Sequence, residues 1–377
     1  MKWLTTVAAA LVVAVPAFAQ ETPPPPPDAV APPSGGQAAS NNRYLLLPDI
    51  SFISMVKGLF TSDKSNPDRN KFLFDSGELA IQSFVYPGIK QDAFIVFGNG
   101  ETKVEEGYVT VQNLNLGKLP LSAVVGRRKA PFGRVNQLHP HSWLYIEPPV
   151  VLKNLVADES LTGDGGYLSY LFPTKQFLQL DLGYWGQPQA AAEGIKPTGG
   201  AGFRDTFSTV RLWGSSKLAG GELELGASDA RGKGTGYLIV RPGEAFTTDF
   251  HPQNTLQGLD LTYRVGKKDS QRLMIRSEYL QHEQKAFLAT YKASGYYVSA
   301  DQRYGPLRSL GLRYDNSGSP YAAGRETSFS LIQTLQLTEQ TYLRLQATHG
   351  DRPNEKGFNE LRLQWVWGVG PHTHSLE

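Results

Sequence analysis

The alternation of apolar and polar residues in short segments from Asp49 onward constrains the fold of this chain more than any other feature. Leu259–Arg264 reads Leu-Asp-Leu-Thr-Tyr-Arg, and Leu343–Thr348 reads Leu-Arg-Leu-Gln-Ala-Thr. Because successive side chains of a strand point to opposite faces, this pattern predicts strands with one apolar face and one polar face. An amphipathic helix would repeat its apolar residues at three- and four-residue spacing, and no sustained run of that kind occurs.

The pattern predicts an all-β fold of about sixteen strands, closed into an antiparallel transmembrane β-barrel. In hydrocarbon every backbone polar group needs an internal partner, and a closed barrel supplies one without an exposed edge. The predicted strands start near Asp49, Gly77, Gln91, Val104, Leu119, Gly166, Gln176, Asp205, Gly221, Leu256, Arg272, Ser294, Arg308, Thr327, Thr341 and Asn359.

The connections between these strands mostly alternate between short and long, as they do in barrels with tight turns at one end and free loops at the other. Gly98–Thr102 is a short exception at the long end. The predicted long connections are Thr61–Asn70, Lys129–Gly165, Gly186–Arg204, Ser228–Thr255, Gln281–Ala293 and Asp315–Glu326. A soluble, exported all-β domain is the alternative, but so many charged strand faces would need a solvated interior.

The N-terminus predicts export. Residues 1–20 combine Lys2, the apolar run Val7–Val15 and the small-residue motif Ala17–Ala19, which is typical of a cleaved signal peptide. Residues 21–48 are rich in proline and predict a disordered periplasmic linker. The barrel is predicted over residues 49–377.

Composition excludes several classes of protein. The chain has 37 basic and 35 acidic residues, a balance that gives no sign of nucleic-acid binding. Its mean hydropathy of -0.32 excludes a bundle of membrane helices. The absence of cysteine excludes thiolate nucleophiles and cysteine-ligated zinc. No cofactor is expected.

Lys129–Gly165 is far longer than a hairpin loop and rich in apolar and aromatic residues. Long connections in compact folds are usually functional or disordered, and the apolar content favours packing over disorder. It is the third connection on the long side. We expect it to fold inward and to narrow the channel that sixteen strands would enclose.

Three motifs in this region are similar to one family. Gly126–Gly133 resembles the G-x-x-K-x-P-F-G segment of the phosphate-selective porin O/P-type family of Gram-negative outer membranes, and Ile146–Val151 and Gly163–Gly166 resemble the elements that follow it. The resemblance implies a sixteen-stranded porin, integral to the outer membrane, with a homotrimer as a further expectation. The C-terminus departs from the pattern, because Pro371–Glu377 follows the last strand where porins end in an aromatic residue. Phosphate specificity is not implied, since no ladder of lysine or arginine residues is identified.

The expected role is passive diffusion of small hydrophilic or ionic solutes, with outer-membrane lipid as the surrounding partner. The alternative reading of the inner charges is that they pair across strands and stiffen the wall. The candidate constriction and pore-lining residues are Arg127, Arg128, Lys129, Arg134, Glu147, Arg264, Arg276, Arg313, Arg344 and Arg362.

Other functions have less support in the sequence. His139 and His141 are weak candidates for a metal site, because Pro140 disrupts strand geometry between them, and a second histidine pair lies in the tail. An enzyme would need a histidine beside a carboxylate or a serine, and the candidates are His282–Glu283 and Asp249–His251, which are more simply read as solvated loop residues. A non-conducting structural or receptor-like barrel remains the main alternative, and residues 21–48 are too few for the plug domain of a larger transporter.

Overall fold

The computed structural model describes residues 47–371, except positions 99, 115, 118, 158–159, 187–202, 235, 242–243, 249–252, 268–270, 286–289, 320–321, 339 and 354–356. The predicted signal peptide and almost all of the predicted linker lie outside the described residues, as do Asp249–His251 and the histidines of the C-terminal tail.

Sixteen strands form one closed antiparallel barrel, which confirms the predicted fold class and strand number. Each barrel strand pairs with its neighbours along the chain, and the first pairs with the last to close the wall. The strands are β1 (Asp49–Thr61), β2 (Lys71–Tyr86), β3 (Ile89–Gly98), β4 (Glu101–Val111), β5 (Leu121–Lys129), β6 (Thr162–Leu171), β7 (Phe177–Gly186), β8 (Phe203–Leu218), β9 (Gly221–Gly234), β12 (Gln253–Lys267), β13 (Gln271–Lys285), β14 (Thr290–Tyr304), β15 (Arg308–Ser319), β16 (Ala322–Gln336), β17 (Tyr342–Asp351) and β18 (Phe358–Val369).

Several connections that we predicted to be long loops are continued strand. β13 runs to Lys285 and β14 begins at Thr290, so most of Gln281–Ala293 is paired in the ladder. Most of Asp315–Glu326 is paired in the same way. Between β9 and β12, the strands β10 (Gly236–Arg241) and β11 (Glu244–Thr248) form a separate hairpin. Pairing satisfies backbone groups that an irregular loop would leave to water.

The wall carries its apolar residues on the exposed face. Leu259 is 58% exposed and Val125 is 64% exposed, whereas the neighbouring Asp260 is 4% exposed. The same inversion recurs around the barrel, where charged and amide side chains are buried on the opposite face. Since alternate residues of a strand point to opposite sides, the polar face lines the interior.

Gly126, the first residue of the family-like motif, has a structural reason to be glycine. Its φ is 138°, a value that L side chains rarely adopt. A Cβ atom there would also collide with the backbone of Gly107 and Tyr108 on β4. The position therefore permits close pairing of β5 with β4 at the root of the long connection.

The connection between β5 and β6, residues 130–161, contains two short 3-10 turns and one short helix, α1 (Val150–Leu155). We call it the β5–β6 segment. Within the described residues, no helix has the length and apolar character needed to cross a membrane.

Candidate functional site

The β5–β6 segment is anchored by a large apolar cluster. Phe132, Val151 and Leu155 are completely buried, and α1 contacts β13, β14 and β15. Side chains of the wall supply the other half of this cluster, and they come from widely separated strands. The wall residues in the cluster are Trp185, Phe203, Phe207, Ala230, Leu256, Leu280, Ala293, Tyr297 and Ile332.

Wall side chains also accept hydrogen bonds from the backbone of the segment. Glu278 on β13 accepts from the N–H of Val135 at 2.8 Å. Asp315 on β15 accepts from the N–H of Val150 at 3.0 Å, and Gln346 on β17 accepts from the N–H of Ile146 at 2.9 Å. The irregular backbone of the segment is therefore satisfied by the polar face of the barrel.

Arg313 and Arg344, two of the predicted pore residues, contact the segment directly. Arg313 donates to the carbonyl oxygen of Glu147 at 2.7 Å, and Arg344 donates to that of Tyr145 at 3.1 Å. The Arg313 guanidinium also lies 4.5 Å from the centre of the Tyr145 ring. These bonds to backbone carbonyl oxygens fix the position of each arginine. Asp315 also pairs with Arg313 at 2.7 Å.

Glu147 is the acidic member of a mixed cluster between the segment and the wall. Its carboxylate lies 3.4 Å from Nζ of Lys57 and 3.1 Å from Arg362. Desolvation opposes the charge of Glu147, but Lys57 and Arg362 outweigh it and hold the pKa of this carboxyl below its usual value. Asp75 adds a second carboxylate, 3.2 Å from Lys57.

His139 sits in a buried acidic cluster. Its Nδ1 lies 2.8 Å from Glu78, and its Nε2 lies 2.8 Å from Glu106. Glu105 is 3.4 Å from Nδ1 and 3.0 Å from Nζ of Lys129. Burial and the Lys129 charge would lower the pKa of His139, but the carboxylates raise it well above its usual value.

Glu78, Glu105 and His139 could each offer one ligand atom to a metal, with these atoms within 4.8 Å of one another. His141, the other predicted ligand, has Nδ1 3.8 Å from Glu78. However, both ring nitrogens of His139 already face carboxylates, and Lys129 brings a second positive charge. The donor set fits a proton-bridged ion cluster better than a cation site.

The remaining predicted residues lie at different places on the wall. The guanidinium of Arg128 lies 4.2 Å from the centre of the Tyr108 ring. Arg127 is on the opposite face of β5, beside exposed Val125, and pairs with Asp164 at 2.7 Å. Arg127 is therefore separated from the predicted residues that lie inside the barrel, because adjacent strand residues point to opposite sides.

Arg134 and Arg264 both approach Glu224 on β9, at 3.6 and 3.5 Å. Arg276 is fully buried on β13 and its Nε lies 3.4 Å from the Thr262 hydroxyl. Most of the predicted arginines are thus inside the barrel and close to a carboxylate or a carbonyl oxygen, which supports cross-strand pairing as well as a charged lining.

The sequence reasoning missed several residues of the site, including Lys57, Asp315, Gln346 and Trp143. Asp315 and Gln346 each lie two residues beyond a predicted arginine on the same strand face, and this spacing could have identified them. Lys57 and Trp143 carried no such signal, because their neighbours are far away in the sequence.

Two cavities share Trp143 in their lining. The outer cavity, about 300 Å³, includes Gly98 and Glu101 at the end of the barrel where the β5–β6 segment attaches. The inner cavity, about 50 Å³, reaches Leu307 in the turn at the opposite end. Five carboxylates and three lysines line the outer cavity, whereas four arginines and one carboxylate line the inner one.

The candidate enzyme pair does not form a catalytic arrangement. His282 is completely buried on the inner face of β13, while Glu283 points the other way and pairs with Lys292 at 2.7 Å. Within the described residues, neither ring nitrogen of His282 has a hydrogen-bond partner. A general base needs an orienting partner, so this pair gives no support to enzymatic function.

No protein-family model matches this chain. An uncharacterized protein of Aquifex aeolicus is 24% identical over 332 residues, covering 81% of this chain and 70% of that protein.

Solved structures share the fold at low sequence identity. The anion-selective porin of Comamonas acidovorans has a TM-score of 0.58 at 11% identity, over 85% of this chain and 99% of that chain. A loop-deletion mutant of OmpT, an outer membrane protein of Vibrio cholerae, has a TM-score of 0.57 at 13% identity, with the same coverage. The outer membrane channel DcaP of Acinetobacter baumannii has a TM-score of 0.54 at 12% identity, over 85% of this chain and 97% of that chain. The chain therefore has the fold of outer-membrane porins and channels.

Proposed function

We propose that this protein is an outer-membrane porin, exported by a cleaved signal peptide, that allows small hydrophilic or ionic solutes to diffuse passively. The observation that carries the proposal is the pair of charged cavities, both lined by Trp143, inside a closed barrel. A polar lining keeps a pore hydrated, and charged groups at close range bias which ions pass. The neighbouring structures, which are porins and channels, support the same function.

The β5–β6 segment would set the size limit of this pore. Its apolar cluster holds one side of it against β13–β15, and the Glu147 cluster and Arg344 hold the other. Solutes would pass beside this cluster, through the outer cavity that Lys57, Asp75 and Glu147 line. Opposed charges across a narrow passage create a transverse field that favours hydrated, polar solutes.

The family-like motif Gly126–Gly133 supports a relation to the phosphate-selective porin O/P type, without phosphate specificity. A homotrimer is the assembly that we propose, because one neighbouring structure is described as a trimer form. Chemical cross-linking of the detergent-solubilised protein would test the assembly, and a single monomer band would contradict it.

Single-channel recording of the refolded protein in a planar bilayer tests the proposed function. We expect open steps, and a salt gradient would give the ion preference through the sign of the reversal potential. The control is the same preparation heat-unfolded before insertion. A folded, heat-modifiable barrel that gives no steps would contradict the porin function.

That outcome would favour the second candidate, a non-conducting structural or receptor-like barrel. The observation in its favour is the large apolar cluster between the segment and the wall, which fills part of the interior with packed side chains. The small volume of the inner cavity points the same way.

A further inference from the structure

The inner cavity is lined by hydrogen-bond donors that have no partner. Oγ of Ser142, Nε1 of Trp143 and Nε of Arg272 are buried, and within the described residues none of these atoms has a hydrogen-bond partner. All three residues line the inner cavity. Ser142 and Trp143 are each 6% exposed. Buried polar groups are nearly always hydrogen-bonded, so three unsatisfied donors around one cavity indicate an acceptor that belongs there.

The inner cavity also carries an excess of positive charge. Arg272, Arg303, Arg308 and Arg344 line it, and Asp301 is its one carboxylate among the described residues. Several of these charged side chains already have hydrogen-bond partners. Asp301 accepts from the Ser309 hydroxyl at 3.0 Å, and Arg303 donates to Gln336 at 3.0 Å and to a turn carbonyl. Arg344 is held by Tyr145 and Gln364. Arg272 is the guanidinium whose Nε remains unsatisfied.

We propose that this cavity binds the carboxylate of a small organic monoanion, with Arg272, Ser142 and Trp143 as the residues that contact it. A carboxylate accepts hydrogen bonds only, and a guanidinium, a hydroxyl and an indole N–H donate them. A charge-assisted pair with arginine is the strongest of these bonds. The inference deepens the proposed function and rests on it for the idea that this group belongs to a solute in transit.

The charge of the site favours a carboxylate over a phosphate. A volume of about 50 Å³ accommodates a carboxylate head group with little additional bulk, and the rest of a larger solute would extend toward the turn at Leu307. Asp301 lines the same cavity, and its negative charge would repel the second charge of a phosphate dianion. Water could fill the space, but it would not neutralise the excess of arginine.

Isothermal titration of the refolded barrel in detergent tests this site without requiring conduction. Sodium acetate and sodium phosphate are titrated separately at matched ionic strength and neutral pH. We expect saturable binding of acetate and weaker binding of phosphate. Arg272→Gln should weaken acetate binding roughly tenfold or more, and Ser142→Ala should weaken it by a smaller factor.

The matched control is Arg231→Gln, because Arg231 is an exposed arginine paired with Asp229. This variant should bind acetate as the unmodified protein does. Heat-modifiable mobility on a gel shows that each variant is folded, and Ser142→Ala provides the comparison if Arg272→Gln does not fold.

Absence of saturable acetate binding, tighter binding of phosphate, or equal affinity of Arg272→Gln and the unmodified protein would overturn the proposal. A barrel that conducts in a bilayer but binds no acetate would contradict this site alone. A barrel that binds acetate but gives no channel steps would keep the site and contradict the porin function.

Discussion

Glu147 places a single negative charge between the segment and the wall, where Lys57 and Arg362 compensate it. We predict that Glu147→Gln shifts the ion preference toward anions, because two cations lose their shared partner. One charge at contact distance is worth about 1 kcal/mol in water, so the permeability ratio should change by a factor of about two to five. Reversal potentials in a salt gradient measure it.

Asp164→Asn is the matched control for Glu147→Gln, because Asp164 pairs with Arg127 on the outer face of β5. It also removes one carboxylate and should leave the reversal potential unchanged. Equal shifts in both variants would show that the effect is one of net charge and not of a local constriction.

His139 bridges carboxylates from β2 and β4, and its substitution should be costly. We predict that His139→Gln lowers the free energy of unfolding by about 3 kcal/mol, because Glu78, Glu105 and Glu106 lose the cation that bridges them. His349→Gln is the control, because His349 is exposed and bonds only to Asn359 in the described part of β18. Equal losses in both variants would contradict the prediction.

We also predict that the contribution of His139 to the free energy of unfolding depends on pH. Because the folded-state pKa of His139 is raised above its usual value, the stabilisation is complete below about pH 6.5 and is lost as the pH rises through the higher folded value. Glu78, Glu105, Glu106, Lys129 and His141 are the titratable groups that face the ring. The gap in urea midpoint between the unmodified protein and His139→Gln should narrow at alkaline pH. A gap that widens there would contradict it.

For individual residues, the alternation of apolar and polar residues predicted which side chains point into the barrel. It predicted few of the contacts that these side chains make. Arg313 and Arg344 were placed on the polar face by period-two spacing, and both lie inside. Their partners in the segment are 166 and 199 residues away along the chain, so only the closed fold brings them together. Arg127 and Arg128 read alike in a basic run, yet the strand sends them to opposite faces.

At the scale of the element, the β5–β6 segment depends on its apolar cluster. We predict that Leu155→Ala, which empties a fully buried position on α1, costs about 2–5 kcal/mol. The barrel ladder does not include this residue, so heat-modifiable mobility should survive while channel conductance rises and becomes noisier. Single-channel recording measures the change.

Leu168→Ala is the control for that prediction, because Leu168 is 47% exposed on the outer face of β6. It should leave the conductance and its noise as they are. A quiet, unchanged channel in Leu155→Ala would show that the cluster does not hold the segment in the conducting path.

The sequence predicted the number of strands better than the residues at which the strands begin and end. Sixteen strands were found because each repeats the same alternation, but β2 begins at Lys71 and not near Gly77. The continuation of β13 and β14 past their apolar residues could not be predicted, because polar residues beyond the lipid band are equally typical of loops. Whether such residues pair depends on the neighbouring strand, which local sequence does not report.

At the scale of the molecule, the two cavities that share Trp143 carry opposite excess charge and lie toward opposite ends of the barrel. We predict that the current depends on the polarity of the voltage and is larger when the side of the outer cavity is positive. Cations then enter through the acidic cavity and anions through the basic one, and both accumulate between them. The effect should be strong at about 0.1 M salt and fade at about 1 M, where screening shortens to about 3 Å.

Current–voltage curves of channels inserted in one orientation measure this asymmetry. The double variant Arg272→Gln/Arg303→Gln should reduce it, because it removes half of the arginines of the inner cavity. A linear curve at low salt in the unmodified protein would contradict the prediction.

The strands of the barrel differ in length around the wall. β3 to β7 have between 9 and 11 residues, whereas β12, β13 and β14 have 15 each. Most connections at one end are short turns, so the extra residues of β12 to β14 project at the other end. At about 3.3 Å per residue and a tilt of about 40°, one side of the rim stands about 10 Å higher. Among the described residues the rim is therefore lower over β3 to β7 than over β12 to β14, and we predict that solutes enter over this lower side.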